Sequence, residues 1–401
     1  MPISNKTFFA SLPIAQAFGL ATKMESLVLL VAAVWVGLLL MRGRDWEIRE
    51  RLEAAAEPID ALLSDTTVLI PARNEAMVIE RTLSPLSRQG AALRVVLVND
   101  QSSDQTEVLA KSTLPSRLKI VSGKPVPAGW TGKLWALQQG LDSVETDFVL
   151  LLDADIELAS GMVATLQEKL VTERLDLVSI MAELRMENFW EKLLVPAFVY
   201  FFRLLYPFSI GNDPRSRLGV AAGGCVFIRS NILRDIGGFT GLQDAIIDDC
   251  ALAKLVKANG GRTWIGLSRS VRSHRLHANL ASFWQMVARS AFTQLRYSTI
   301  LLLATTVVMV SGLWIPILGL FWSSWWSKLI CLIGLSAMML SYLPTLLFYH
   351  RSGWRALTLP VAGTLYLLMT WSSAIRYWKG ERSEWKGRVY RSDERSLNRK
   401  K

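Results

Sequence analysis

Four stretches of this chain carry no charged residue, and they limit what it can fold into more than any other feature. They are Ser26–Met41, Ser298–Ser327, Leu329–Tyr349 and Ala356–Ile375. A helix crosses a bilayer core with about 20 apolar residues, range ~17–25. The first run falls slightly short of that length, and the other three reach it. They explain a hydrophobic content of 51% in 401 residues, which is high for a soluble enzyme. Ser26–Met41 lies well in from Met1, and no small-x-small cleavage site stands before the basic segment that follows. It therefore reads as an anchor rather than a cleaved signal. The expected organisation is a lead-in at 1–24, a transmembrane anchor at 25–42 and a linker at 43–66. An α/β domain follows at 67–280, then an interfacial helix at 281–297. A C-terminal transmembrane region of about three hydrophobic segments takes 298–378, and a basic tail 379–401.

The net charge of +11 is placed to match. Bases cluster in Arg42–Arg51, after the first run, and in Arg376–Lys401, with ten Lys and Arg against four Asp and Glu. Such clusters beside spans face the cytoplasm and anionic lipid. Nucleic acid is not an expected partner, because the bases flank spans rather than forming a stripe. The three cysteines, Cys225, Cys250 and Cys331, are far apart, and no Cys-x-x-Cys occurs. A disulfide framework or zinc site is not expected, and a reducing compartment is.

Between Thr67 and about Thr263 the pattern alternates. Strand-like Thr67–Pro71, Arg94–Asn99, Leu118–Val121, Asp147–Leu152 and Leu175–Met181 are separated by helical Glu75–Arg88, Asp104–Lys111, Lys133–Val144 and Ser160–Val171. Such alternation predicts a mostly parallel, Rossmann-like sheet with helices on both faces, and ligands at the carboxyl ends of its strands. Asn188–Ile210 and Ala281–Tyr297 are aromatic but keep charges, and read as segments lying on a membrane surface.

Polar groups gather where strands should end. Phe148–Leu152 stops in Asp153-Ala154-Asp155. Positions i and i+2 of a strand share a face, so both carboxylates are expected to converge on one hard cation such as Mg²⁺ or Mn²⁺. Taken alone, the pair fits strand-ending turn residues better than a metal site. Five further clues stand around it. Pro71-Ala72-Arg73-Asn74-Glu75 is a polar strand-to-helix turn. Val98-Asn99-Asp100 leads into Gln101–Thr106, where the Asp100 carboxylate is an acceptor suited to the N3–H of uracil. Gly132-Lys133 opens a helix. Gly223-Gly224 precedes Cys225-Val226-Phe227 and permits close approach of a ligand to the backbone. Asp248-Asp249 opens a helix, where acidic residues also suit the helix dipole. Each has an ordinary reading as a cap, loop or turn.

In this order and spacing, the six motifs resemble the family-2 inverting glycosyltransferases over about Thr67–Tyr297. Phe292–Ser298, Ser341–Leu346 and Trp385-Lys386-Gly387-Arg388 narrow the resemblance to the hopanoid-biosynthesis-associated membrane glycosyltransferases. The resemblance implies a GT-A nucleotide-sugar domain at 67–280, accompanied by transmembrane and interfacial helices. It implies a UDP-sugar donor held by Pro71, Arg73, Glu75, Asp100, Lys133, Asp153, Gly223, Gly224 and Arg296. Asp155, with Asp153, would bind Mg²⁺ or Mn²⁺, and Asp249 would be the catalytic base with Asp248 as its partner. The acceptor would be a membrane lipid, a hopanoid among the candidates. The enzyme would sit in the bacterial inner membrane as a multi-pass protein, its catalytic domain facing the cytoplasm.

Processive synthases of the same family place an Arg-Trp pair after Gln or Arg near the membrane. Here Thr293 and Tyr297 replace the first and last of those residues, which counts against a processive polysaccharide synthase. A scaffold that binds nucleotide sugar without turnover is the other alternative, opposed by the presence of every expected acidic residue. His274 and His277 are expected at the surface, with the metal shell as their alternative. Three full spans after a cytoplasmic domain would put the basic tail outside, against the positive-inside tendency. One segment is therefore expected to be re-entrant, or Ser298–Ser327 to break at Pro316.

Overall fold

The computed structural model describes residues 12–41, 45–55, 63–90, 92–321, 324–385 and 388–391. Residues 1–11 of the lead-in, the end of the tail, and Lys386 and Gly387 lie outside these residues. The chain divides into two compact units, 48–298 with 369–401, and 1–47 with 299–368.

The first unit is built on eight strands: β1 (Thr66–Ala72), β2 (Arg94–Asn99), β3 (Leu118–Ser122), β4 (Phe148–Leu152), β5 (Ile156–Leu158), β6 (Leu177–Glu183), β7 (Cys225–Arg229) and β8 (Thr263–Ser273). Their order in the sheet is β3-β2-β1-β4-β7-β6-β8-β5. β3, β2, β1 and β4 run parallel, β7 runs antiparallel between β4 and β6, and β8 returns parallel to β6. Alternation along the strands sends side chains to two cores. Val68, Ile70, Val95, Leu97, Leu150 and Leu152 face one side, under Leu83, Leu86 and Leu166. Leu69, Val96, Val98, Val149 and Leu151 face the other, under Leu134, Leu137, Leu252 and Val256. Fully burying one such side chain contributes about 1.5–3 kcal/mol relative to exposure. The parallel strands are thus covered on both faces, which explains their near-continuous apolar runs.

One close approach matters for the site. A Cβ on Gly140, near the end of the helix Gly132–Leu141, would stand 2.3 Å from Leu69 Cδ1 and 2.7 Å from Val98 Cγ2. The helix therefore sits unusually low on β1 and β2 there.

Two elements differ from the sequence expectation. β8 was not anticipated, because Ser268, Arg269 and Ser270 interrupt its apolar pattern. Those groups are satisfied from the segment expected to be a linker. Glu53 accepts from the hydroxyls of Ser268 (3.0 Å) and Ser270 (2.7 Å) and from the Ser270 amide (2.9 Å). Leu52 N–H also donates to the Leu267 carbonyl at 3.0 Å. The described part of that linker is thus a strap bonded along β8. Phe189–Leu205, in the segment read as surface-lying, is a helix opened by an Asn188–Glu191 capping box. It buries Leu193, Leu194, Val195, Val199, Tyr200 and Arg203 within the protein while Phe189 stays exposed.

The second unit is helical. Two helices among the described residues are long and apolar enough to cross a membrane, Thr299–Phe321 and Trp325–Phe348. The sequence reading expected about three hydrophobic segments in this region. The last segment forms a helix only from Leu359, after a 3-10 turn at Gly353–Thr358, and carries Thr364, Thr370, Ser372 and Ser373. The apolar part of the first helix, Glu25–Leu40, is also short of a full span. It packs against Trp325–Phe348, where a Cβ on Gly334 would lie 3.2 Å from Ala32, a small-residue contact that lets helices approach closely. Trp35 Nε1 donates to the Gly312 carbonyl at 2.8 Å.

Candidate active site

The site lies where β1, β2 and β4 end and β7 begins. β4 stops at Leu152, which pairs with Cys225 of antiparallel β7, and Asp153 N–H donates to the Gly224 carbonyl at 3.0 Å. The two glycines therefore enter the sheet directly beside the first aspartate. A cavity there is lined by Pro71, Lys133, Asp153, Gly223, Asp248 and Asp249. Lys133 Nζ is 2.9 Å from Asp153 Oδ1 and 3.4 Å from Asp248 Oδ2. A Cβ on Gly223 would lie 3.3 Å from both Asp249 Oδ2 and Lys133 Nζ, so glycine keeps the gap between them open.

Too many carboxylates share too little solvent here. Burial in the cleft and the neighbouring Asp248 charge push the Asp249 carboxyl up to about 7, although the Cys250 and Gly223 amides donate to it. Burial also raises Asp153, with the Asp155 charge adding to it and Lys133 opposing. Burial disfavours the Lys133 ammonium, but Asp153 and Asp248 outweigh that and raise its pKa.

The residues at the ends of β1 and β2 form a different structure. Arg73 Nη1 donates to the carbonyls of Asp100 (2.6 Å) and Gln101 (3.1 Å). Asn74 N–H donates to Ser102 Oγ, Glu75 N–H to Thr106 Oγ1 at 2.8 Å, and Ala76 N–H to Asp104 Oδ2. Two loops are thereby tied together, and Asn74 (φ 51°) and Gln101 (φ 55°) take left-handed backbone to do it. Asp100 itself is fully buried.

The aspartate pair does not share one face. The strand ends at Leu152, so alternation ends with it. A turn closes instead, with Ile156 N–H donating to the Asp153 carbonyl at 3.1 Å, and the chain crosses to β5 at the far edge of the sheet. Asp153 stays with Lys133, whereas Asp155 joins β8. There, Asp155 Oδ2 accepts from Ser273 Oγ at 2.5 Å and Oδ1 lies 2.9 Å from Arg275 Nη2. The same Nη2 is 3.2 Å from Glu75 Oε1. Asp155 and Glu75 are buried, at 5% and 8% exposure.

This arrangement bears on a divalent metal. Two carboxylates converge on one cationic nitrogen, so the donor set fits a hard cation. Among the described residues no three Asp, Glu, His or Cys side chains cluster as a full metal shell. Mg²⁺ commonly takes only one or two carboxylates and completes its shell with substrate phosphates and water. The residues fit a metal that arrives with a diphosphate.

Neither histidine is the free surface residue expected. His274 is hydrogen bonded to Glu157, with Arg81 at 3.4 Å. His277 is buried, its ring edge-on to Phe283 and its pKa lowered by burial and then by Arg275. Arg296 follows the short helix Ala291–Gln294 at φ 52°, with Tyr297 at φ 57° stacked on Tyr377, centroids 4.3 Å apart. Tyr206, hydrogen bonded to Gln294, lies within electrostatic reach of both Asp249 and Arg296. The sequence reading missed Tyr206, Ser273 and Arg275. The dense polar run Ser273-His274-Arg275 just past a strand was the available signal.

With this geometry in hand, the class follows. Residues 67–237 match the family described as Glycosyl transferase family 2, and that domain, with its mostly parallel sheet and helices on both faces, has the GT-A fold. The match takes in about two fifths of the chain. Among relatives, it is 30% identical over 92 residues to 4,4'-diaponeurosporenoate glycosyltransferase of Staphylococcus haemolyticus (strain JCSC1435), covering 23% of this chain and 24% of that one. It is 32% identical over 90 residues to the protein of the same name from Staphylococcus aureus (strain MRSA252), covering 22% and 24%. The match thus spans about a quarter of the length of these relatives. Among solved structures, a mannosyltransferase from Pyrobaculum calidifontis in complex with GDP-Man and Mn²⁺ aligns at 17% identity and TM-score 0.48, over 89% of this chain and all of that one.

Proposed function

We propose that this protein is a membrane-bound inverting glycosyltransferase that moves one sugar from a UDP-sugar to a lipid hydroxyl, with hopanoids among the candidate acceptors. The observation that carries the reading is Asp249. It is a carboxylate lining the cavity with Lys133 and Asp153, next to Gly223, and its pKa is pushed up to about 7. A general base works best when its pKa lies near the operating pH. The relatives named for 4,4'-diaponeurosporenoate and the two long apolar helices support an apolar acceptor.

In this reading Pro71, Arg73, Glu75 and Asp100 form the uridine side, and Lys133 and Asp153 meet the sugar diphosphate. Gly223 and Gly224 let the sugar approach the backbone. Asp249, oriented by the Gly223 and Cys250 amides, takes the proton from the acceptor hydroxyl. The acceptor oxygen then forms its bond to the anomeric carbon as the bond to the diphosphate oxygen breaks, with the electron pair leaving on UDP. Asp248 stays paired with Lys133 and keeps the Asp249 pKa high. Arg296 adds positive charge on the leaving side. Asp155, with Glu75 beside it, would hold Mg²⁺ or Mn²⁺, which would supply neutralisation of the leaving diphosphate.

The membrane arrangement follows from the same division of the chain. Two spans, Thr299–Phe321 and Trp325–Phe348, form a pair, so the chain returns to the side it left. This reading calls for a cytoplasmic catalytic unit at a bacterial inner membrane, and the positive-inside tendency favours the basic tail on the same side. The test is Asp249→Asn in membranes supplied with UDP-sugars. Transfer should fall at least 1,000-fold while UDP binding persists, with products read by lipid mass spectrometry. Full transfer by this variant would remove Asp249 from the role, and long polymeric products would replace the reading with a processive synthase.

A further inference from the structure

We propose that Arg275 is an exchangeable counter-ion. It holds Asp155 and Glu75 before substrate arrives and turns to the diphosphate when metal takes its place. The inference deepens the reading above and rests on it for the identity of the diphosphate. Both oxygens of the Asp155 carboxylate are engaged within the protein, one with Ser273 Oγ at 2.5 Å and the other with Arg275 Nη2 at 2.9 Å. A metal ion bridging Asp155 and Glu75 would take the position that Arg275 Nη2 now occupies between them. Ser273 belongs to β8 and also accepts from Arg275 N–H at 3.3 Å, so it is held by the sheet. The Arg275 side chain lies beyond the end of that strand and keeps 40% of its surface exposed. It is the partner free to move.

Charge decides when it moves. Without ligand, Arg275 offsets part of the charge of two buried carboxylates, and its departure would leave them facing each other uncompensated, a costly state. A dication alone gains the carboxylates but meets the guanidinium in the same small space. A nucleotide diphosphate changes the balance, because it offers oxygens to the metal and a planar, bidentate partner to the guanidinium. Metal and donor therefore bind with strong positive coupling, and by linkage each tightens the other by the same factor.

The experiment measures Mn²⁺ binding to the purified full chain in detergent at pH 8, by electron paramagnetic resonance, with and without UDP. In the wild type, saturating UDP should tighten Mn²⁺ at least tenfold. Arg275→Gln keeps a hydrogen-bond donor for Asp155 and removes the charge. It should bind Mn²⁺ at least tenfold tighter than wild type without UDP, and the UDP effect should shrink. Adding Asp155→Asn should abolish the gain, which ties it to this carboxylate rather than to the Asp153 side. Arg275→Lys, which keeps the charge, should resemble wild type and serves if the glutamine variant is poorly folded: tighter UDP-free Mn²⁺ binding by the lysine variant would overturn the proposal. So would unchanged or weaker UDP-free Mn²⁺ binding by Arg275→Gln. Failure of the wild type to bind any nucleotide diphosphate would instead sink the donor assignment, while the UDP-free comparison would still judge Arg275.

Discussion

The two sides of the cleft solve opposite problems. On the side of β1 and β2, hydrogen bonds tie two loops together: Arg73 spans two carbonyls, and Asn74, Glu75 and Ala76 donate to Ser102, Thr106 and Asp104. On the side of β4 and β7, one lysine serves several carboxylates, and Asp153 and Asp249 are held away from their ordinary protonation behaviour. The first side is a finished, self-bonded frame, suited to holding a ligand without reorganising. The second stores electrostatic tension, which a substrate can relieve. The difference teaches where binding and chemistry divide in this domain.

Substitutions should separate the two sides, and the largest effect belongs to Lys133. Lys133→Met leaves Asp153 and Asp248 without their shared cation, and breaking such a pair costs about 3–5 kcal/mol. Thermal melting should fall well below wild type at pH 8, and transfer should be lost. A variant that melts and turns over normally would remove the lysine from the centre of the cluster. Next comes pH. Asp249 must be ionised to act, so kcat/KM should drop about tenfold per unit below about pH 7. The stability sign runs the other way. A carboxyl with a raised folded pKa favours the fold when protonated, and that contribution is lost as pH rises through about 7. Asp249→Asn should therefore melt above wild type at pH 8, with the gap closing toward pH 4. A gap that widens on acidification would contradict the raised pKa. The smallest effect belongs to the frame. Thr106→Val keeps the volume but removes the acceptor for Glu75 N–H, at a cost of about 1–2 kcal/mol. Its kinetic signature should be a higher KM for the UDP-sugar with kcat nearly unchanged; an equal fall in kcat would mean the frame takes part in the chemistry.

The parallel half of the fold was readable because its strands are buried on both faces and hence apolar throughout, as β1 and β4 show. β8 was not, because its serines look solvent-exposed until Glu53, more than 200 residues away, is seen to bind them. The site followed the same rule. Lys133, Asp153, Gly223, Asp248 and Asp249 were legible as motifs, and the cavity brings them together. The shared face expected of Asp153 and Asp155 failed for a local reason, since the strand stops one residue before the pair. Arg275 stayed hidden because its importance lies wholly in two carboxylates contributed by distant loops.

Gly140 has no part in the chemistry, yet it sets a length on which the chemistry depends. Its missing methyl lets the helix Gly132–Leu141 rest on Leu69 and Val98, and the far end of that rigid rod carries Lys133. The 2.9 Å between lysine and Asp153 is in this sense measured out two helical turns away, by the thickness of a side chain that is absent. Residues at that seam act as a shim, so that variation there tunes the tension in the cleft without touching any group that reacts.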